Sequence, residues 1–112
     1  MSLEISVSEL KQVRLLEVSG RVDSVSAEIL HNALNEVIDS GVTRLVISLS
    51  DVDYMSSAGL RELVSALKQL NRQNGDLRLA NPSGRVMEVL ELAGLDSIFK
   101  IYPSTTDAIS SF

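Results

Sequence analysis

The chain has 112 residues, of which 45% are hydrophobic and 22% charged, and it carries a formal net charge of −5. A chain of this length buries a sizeable core without disulfides or a structural metal, so we expect a single domain over residues 1–112. Cysteine is absent, which excludes a disulfide framework and any thiolate metal site.

The distribution of charge and hydropathy disfavours two classes of partner. Lysine and arginine are scattered along the chain, so the basic patch that binds a nucleic-acid backbone is missing. No apolar run exceeds four residues, and residues 1–20 lack the charged start and apolar segment of a signal peptide. We therefore expect a cytoplasmic protein that binds neither nucleic acid nor a membrane.

The first eighteen residues predict an antiparallel hairpin. Leu3, Ile5 and Val7 alternate with polar residues, which is typical of a half-buried strand. A polar turn is expected over residues 8–11, and residues 13–18 predict the second strand. The short connection makes the two strands antiparallel.

A first helix follows this hairpin. Asp23 and Ser24 both favour the N-cap position, so either residue can begin the helix. Its apolar face is formed by four residues at helical spacing, Leu30, Leu34, Val37 and Ile38. The helix is expected to end at residues 40–41, because Gly41 can adopt the left-handed conformation of a helix C-terminus.

The central stretch predicts a strand, a polar loop and an amphipathic helix. Residues 45–49 (LVISL) form a short apolar run that suits a buried strand. Residues 51–59 lack periodicity and predict the loop, after which residues 60–70 carry apolar side chains at helical spacing. Ser56 and Ser57 thus lie where a strand end meets a helix N-terminus, a position that favours an anion.

The remaining residues complete a small α/β domain. They predict a turn at 74–76, a strand containing Leu77 and Leu79, a helix from 82–83 to Gly94, an edge strand at 98–102 and a helical turn at 106–109. The order predicts a mixed sheet of four to five strands, with the opening antiparallel hairpin followed by parallel strands, covered by about four helices.

Three interpretations of Ser57 follow from its position. It can satisfy free backbone N–H groups as an N-cap or first-turn serine. It can be a phosphorylation site, where the added phosphate would lie at helix N–H groups and beside carboxylates. A serine nucleophile is disfavoured, because Met55 replaces the glycine of a nucleophile elbow and the only histidine, His31, lies in the first helix.

Other polar residues predict no catalytic or metal site. Asp51 and Asp53 could form a metal pair, but no third ligand accompanies them, so we interpret them as loop residues. His31 is two and three positions from the apolar face and is expected to be solvated or half-exposed. Met55 is expected to fill the core or form an apolar contact at the rim. We therefore predict a protein that is not an enzyme and needs no metal or cofactor.

Three segments of the chain occur together in one protein family. They are GRVD at 20–23, LVISLSDVDYMSSAGL at 45–60 and AGLDSIF at 93–99. In this order and at this spacing they resemble the bacterial anti-sigma-factor antagonists, the founding members of the STAS-domain family. The resemblance covers nearly the whole chain and implies a small mixed sheet covered by helices.

The resemblance also implies a function. In that family the unmodified antagonist binds an anti-sigma factor that is a serine kinase with its own bound ATP, and this binding frees the sigma factor. The kinase then phosphorylates the antagonist and the complex dissociates, until a metal-dependent serine phosphatase resets it. By resemblance, the partners here are such a kinase and such a phosphatase.

The family motif maps the phosphate acceptor onto Ser57. The usual motif, Met-Asp-Ser-[Ser/Thr]-Gly-Leu, places the acceptor directly after an aspartate. In this chain Ser56 replaces that aspartate and is the alternate acceptor, and Ala58 replaces the second hydroxyl. The residues predicted to bind the partner are Asp23, Asp53, Met55, Ser56, Ser57, Gly59 and Arg61.

Asp23 and Ser57 follow adjacent strands that are predicted to be parallel, so both are expected on one rim of the sheet.

Two alternatives to the switch remain. A phosphorelay receiver domain has similar size, but it needs paired acids after the first strand and a lysine after a late one, and residues 18–20 and 79–81 supply neither. A STAS scaffold that is never phosphorylated would bind a fixed protein or small-ligand partner.

Overall fold

The computed structural model describes residues 3–112, which form five strands, four α-helices and one short 3₁₀ helix. In chain order these elements are β1 (Leu3–Leu10), β2 (Val13–Val22), α1 (Ala27–Asp39), β3 (Arg44–Met55), α2 (Ser57–Arg72), β4 (Asp76–Ala80), α3 (Gly84–Leu92), the 3₁₀ helix (Leu95–Ser97), β5 (Lys100–Tyr102) and α4 (Thr105–Ser110). The predicted succession of elements is confirmed.

The strands form one sheet in the order β1-β2-β3-β4-β5. The β1–β2 pair is antiparallel, and the three following pairs are parallel. The predicted mixed sheet is therefore confirmed, with five strands. Because parallel strands end at the same edge, the starts of α1 and α2 lie together beyond the ends of β2 and β3.

The two faces of the sheet are covered unequally. Helices α1, α2 and α3 pack on one face, where the larger core includes Leu16, Leu34, Ile47, Leu63 and Leu90. Burial of one such leucine contributes about 1.5–3 kcal/mol. Among the described residues, α4 is the one helix on the other face, where its Ala108 and Ile109 join a smaller cluster with Val13, Leu15, Val46 and Ala80. The larger core fixes the helices that carry the predicted site.

The predicted turn over residues 8–11 is wrong. Strand β1 continues to Leu10, which pairs with Val13, and the turn consists of Lys11 and Gln12 alone. Both turn residues have positive φ angles, of 54° and 66°. A two-residue hairpin turn of this twist requires positive φ at both positions, and it allows the ladder to run to the strand ends.

The predicted ends of the second and third strands are also wrong. Strand β2 extends to Val22 and β3 to Met55, so residues 51–55 are not a loop. The two strands stay paired through register shifts between Glu17 and Ser19 and between Gly20 and Arg21. Bulges of this kind insert extra residues into a ladder, which obscures the alternating pattern that sequence analysis relies on.

Three further boundaries differ by a few residues. Helix α1 begins at Ala27 rather than at Asp23 or Ser24, with Ser26 in the N-cap position. The edge strand β5 is shorter than predicted, and α4 is longer. The predicted glycine stops are confirmed, because Gly41 and Gly94 have φ angles of 94° and 73°.

Candidate functional site

The end of β3 is joined to the end of β2. Val22 and Met55 are paired across the two strands. The backbone N–H of Ser56 donates a hydrogen bond of 2.8 Å to the carbonyl oxygen of Val22. Asp23 and Ser56 follow this pair directly. Asp23 and Ser57, the first residue of α2, therefore lie at the same edge of the sheet, where the sequence predicts them.

The two neighbouring serines differ in their contacts. Ser56 is the N-cap of α2, because its hydroxyl accepts a hydrogen bond of 3.2 Å from the backbone N–H of Gly59. Its carbonyl oxygen accepts the first helical hydrogen bond, from Leu60, at 3.0 Å. Ser57 is the first residue of the helix and its side chain is exposed. Ser56 thus satisfies the helix end, and Ser57 faces solvent.

Gly59 allows α2 to approach the strand ends closely. A Cβ atom at this position would lie 2.5 Å from Met55 Sδ and 2.6 Å from Val22 Cγ1. Such distances are shorter than any ordinary contact, so a side chain here would push the helix away. Gly59 and Met55 are both buried, and Met55 is only 3% exposed. These two buried residues therefore set how closely the start of α2 approaches the ends of β2 and β3.

Asp23 is held by the turn that precedes α1. Its Oδ1 accepts hydrogen bonds from the backbone N–H groups of Val25, at 3.0 Å, and Ser26, at 2.8 Å. The Ser26 hydroxyl lies 3.1 Å from the same oxygen. Hydrogen bonds from Ser26, first through its backbone and then through its hydroxyl, hold the pKa of the Asp23 carboxyl below its usual value. Asp23 is therefore a fixed negative charge at neutral pH.

Sequence analysis missed a cation beside this carboxylate. The guanidinium of Arg21 lies 3.6 Å from Asp23 Oδ2 and 4.0 Å from the centroid of the Tyr54 ring. Arg21 and Tyr54 are paired in the register of β2 and β3. The interaction was not foreseen because both strands were predicted to end before these residues. The position of Arg21 inside the GRVD segment was the available indication.

The remaining predicted contact residues lie at the margins of this rim. Asp53 is exposed on β3, two residues before Met55. Arg61 is exposed one helical turn after Ser57. Both residues line an open groove along α2. The structure thus brings Asp23, Ser56 and Ser57 together at the strand ends. Asp53 and Arg61 are exposed on the elements that precede and follow the rim, β3 and α2.

His31 links α1 to α2 next to the rim. Its Nδ1 lies 2.7 Å from Glu62 Oε1, and its Nε2 lies 2.8 Å from Asn35 Nδ2. The side chain is 46% exposed, which confirms the prediction of a half-exposed histidine. The Glu62 side chain is 28% exposed and paired with His31.

Residues 3–112 lack both a metal-binding cluster and a membrane-spanning helix. No group of three or more histidine or carboxylate side chains there is arranged to hold a metal ion. No helix in the same range is long and apolar enough to cross a bilayer.

Comparison with known proteins identifies the family. The sequence model of the STAS-domain family matches residues 4–108 of this chain. BtrV of Bordetella bronchiseptica is 34% identical over 110 residues, which cover 98% of this chain and 95% of BtrV. The anti-sigma-B factor antagonist of Bacillus subtilis is 32% identical over 101 residues, covering 90% and 92% of the two chains.

A solved structure agrees with both sequence comparisons. The crystal structure of an anti-sigma factor antagonist from Mycobacterium paratuberculosis superposes with a TM-score of 0.91 and 30% identity, and covers 98% of this chain and 93% of that one. The family match over residues 4–108 and the superposition over 98% of the chain thus point to the same family. This chain belongs to the STAS-domain family.

Proposed function

We propose that this chain is an anti-sigma-factor antagonist controlled by phosphorylation of Ser57. In its unmodified form it binds, in the cytoplasm, an anti-sigma factor of the serine-kinase ATPase type, and a sigma factor is thereby released. The name of the Bacillus subtilis relative, at 32% identity, supports the general role. The kinase ends the interaction by phosphorylating Ser57, and a metal-dependent serine phosphatase reverses it.

The observation that carries this proposal is the different environment of the two serines. The hydroxyl of Ser56 accepts the N–H of Gly59 and contributes to the start of α2. The exposed Ser57 is open to a kinase active site. Modification of Ser57 therefore leaves the helix cap in place, whereas modification of Ser56 would disrupt it. This supports Ser57 as the acceptor and Ser56 as the alternate.

The phosphoryl transfer needs catalytic groups from the partner. The Ser57 oxygen attacks the γ-phosphorus of ATP, its proton passes to a base and ADP leaves. His31 is bound to Glu62 and Asn35 and so is not positioned as that base. The base and the ATP site are assigned to the kinase, and this chain supplies only the substrate hydroxyl.

The effect on binding is electrostatic. Phosphorylation adds about −1.5 to −2 charges at the first residue of α2, close to the ionised Asp23. The helix N-terminus tolerates this charge, so the fold is retained. At the partner surface, however, the added charge opposes groups that were matched to a neutral hydroxyl. A penalty of about 3 kcal/mol is enough to weaken binding about a hundredfold.

The proposed contact surface consists of exposed and supporting residues. The side chains proposed to face the partner are those of the exposed Asp53, Ser57 and Arg61 and of the partly buried Asp23 and Ser56. Met55 and Gly59 are buried and act by setting the distance between α2 and the strand ends. Their contribution to binding is thus expected to be indirect.

A pull-down from native cell lysate tests the proposal. Ser57→Ala and Ser57→Asp forms serve as baits, and mass spectrometry identifies the captured proteins. We expect a serine-kinase-type ATPase with the alanine form and its loss with the aspartate form. Thr106→Asp is the matched control, because Thr106 is an exposed residue in the first turn of α4, on the opposite face of the sheet.

The alternative is a STAS scaffold whose Ser57 is never modified. In that case the alanine and aspartate baits recover the same proteins, and Ser57 is simply an exposed helix residue. Recovery of the same kinase by both baits contradicts the switch, whereas recovery of no kinase by either bait contradicts the identity of the partner.

A further inference from the structure

The outer edge of β1 is open. β1 ends the strand order, and within residues 3–112 no strand pairs with its outer side. Its eight residues pair with β2 in an unbroken register and include no proline. The opposite edge strand, β5, has only three residues and includes Lys100. A long, regular edge without proline or lysine is a template for another strand, whereas a short edge with lysine is not.

The hairpin geometry shows which backbone groups of β1 face outwards. Leu10 and Val13 close a two-residue turn, so they form a hydrogen-bonded pair of the antiparallel ladder. Pairs alternate along such a ladder. The backbone N–H and C=O groups of Ile5, Val7 and Glu9 therefore point away from β2, along the open edge.

Two apolar side chains lie exposed on the same strand. Val7 is 47% exposed and Leu10 is 55% exposed. Apolar side chains beside unpaired backbone groups favour strand addition, because both are satisfied by one partner strand. Such a strand could come from a different protein or from a second copy of this chain.

We infer that the partner strand is β1 of a second copy, joined antiparallel in a register centred on Val7. In this register Val7 faces Val7 of the second copy, Ile5 faces Glu9, and Glu4 faces Leu10. No carboxylate then faces another carboxylate, although the chain carries a net charge of −5. Like charges directly opposite each other destabilise a sheet, so this register is self-complementary.

One competing symmetric register is centred on Ser6. It places Val7 opposite Ile5 but leaves Leu10 beyond the end of the paired region. The register centred on Val7 covers both exposed apolar side chains and uses the outward groups of Ile5, Val7 and Glu9. The two copies then form one continuous ten-stranded sheet, with the Ser57 rims at distant positions.

Single-cysteine cross-linking tests this register, since the chain has no cysteine of its own. In a hydrogen-bonded antiparallel pair the Cα atoms are about 5.5 Å apart, within the range of about 4.4–6.8 Å that a disulfide spans. The Val7→Cys protein should therefore form a disulfide dimer when oxidised with copper phenanthroline. Leu10→Cys is the matched control, because its two copies would be about 20 Å apart.

Equal cross-linking of the two variants, or none in Val7→Cys, overturns the inference. Sedimentation velocity provides a second test on the unmodified chain. Its mass should rise with concentration from 12.2 kDa towards twice that value, and Val7→Lys should remain at 12.2 kDa with an unchanged circular dichroism spectrum. A mass of 12.2 kDa for the unmodified chain at every concentration also overturns it. Neither result depends on a kinase or on Ser57.

Discussion

At the scale of single residues, the site depends on neighbouring side chains with separate tasks. The hydroxyl of Ser56 accepts an N–H of α2, and that of Ser57 faces solvent. Asp23 is fixed by the turn before α1 and is accompanied by Arg21. Ser56 caps the helix while Ser57 is exposed, so the proposed phosphorylation of Ser57 would leave the helix cap in place.

Alanine substitutions should separate the two serines. Removal of the Ser56 hydroxyl leaves the Gly59 N–H without its cap, so we expect Ser56→Ala to lower the free energy of unfolding by about 1 kcal/mol. Ser57→Ala should change it by less than about 0.5 kcal/mol, as is usual for an exposed position. Urea denaturation measures both. A loss of stability in Ser57→Ala equal to that in Ser56→Ala contradicts these roles.

The stability of the protein should depend on Asp23 at acid pH. Its pKa is lower in the folded state than in the unfolded chain, so its ionised form stabilises the fold above the unfolded value of about 4. This contribution is lost as pH falls through the folded pKa. We expect Asp23→Asn to flatten the decline in stability below about pH 4. Denaturation at several pH values measures this effect.

The cause of the shift is tested at Ser26. If the Ser26 hydroxyl helps to lower the pKa of Asp23, then Ser26→Ala should raise that pKa towards its ordinary value in an NMR titration. An unchanged pKa would mean that the backbone N–H groups alone are responsible.

At the scale of elements, the position of α2 on the sheet depends on Gly59. We expect Gly59→Ala to destabilise the fold by about 1 kcal/mol net, because overpacking against Met55 and Val22 outweighs the better helix propensity of alanine. Gly84 in α3 is the matched control, since a Cβ atom there meets nothing within 4 Å. Gly84→Ala should be neutral or stabilising in the same urea denaturation. Equal effects at both glycines contradict the packing argument.

The order of elements could be predicted from the sequence, but several boundaries could not. Helical spacing and glycine stops are local properties, so α1, α2 and α3 were recognised with their apolar faces. The turn at Lys11 and Gln12 lacks the usual glycine or asparagine, and only strand pairing reveals it. Likewise, the charged residues Asp51 and Asp53 suggested a loop, whereas pairing with β2 keeps them in β3.

For the candidate site, the positions of the residues could be predicted from the sequence, but their contacts could not. The serines and Asp23 lie where strand ends were expected to meet, and these positions follow from the order of elements. The assignment of the cap to Ser56 depends on where β3 ends, which the sequence pattern did not show. The contacts of Arg21 with Tyr54 and of His31 with Glu62 join residues distant in sequence, so only the folded structure reveals them.

At the scale of the whole molecule, the exposed part of the site lies at the margin of the core, with Met55 buried beneath it. Three helices cover one face of the sheet and α4 covers part of the other, while the rim lies at the ends of β2 and β3. Because the chain belongs to the STAS family, it is not a phosphorelay receiver domain. Under the proposed function, a change of charge at this rim is therefore expected to alter binding without rearrangement of the core.

We therefore predict that Ser57→Asp retains the fold. A negative charge in the first turn of α2 interacts favourably with the helix dipole, by about 0.3–1 kcal/mol. The melting temperature should be unchanged or a few degrees higher, with the same far-ultraviolet circular dichroism spectrum. A lower melting temperature would mean that any loss of binding reflects unfolding rather than a switch.

The most direct test of the central claim is the affinity of the captured kinase for two forms of this chain, measured by isothermal titration calorimetry. One form is unmodified, and the other is phosphorylated on Ser57, as verified by peptide mass spectrometry. We predict that phosphorylation weakens binding about a hundredfold, equivalent to about 3 kcal/mol. Equal affinity of the two forms would contradict the claim that Ser57 is the switch.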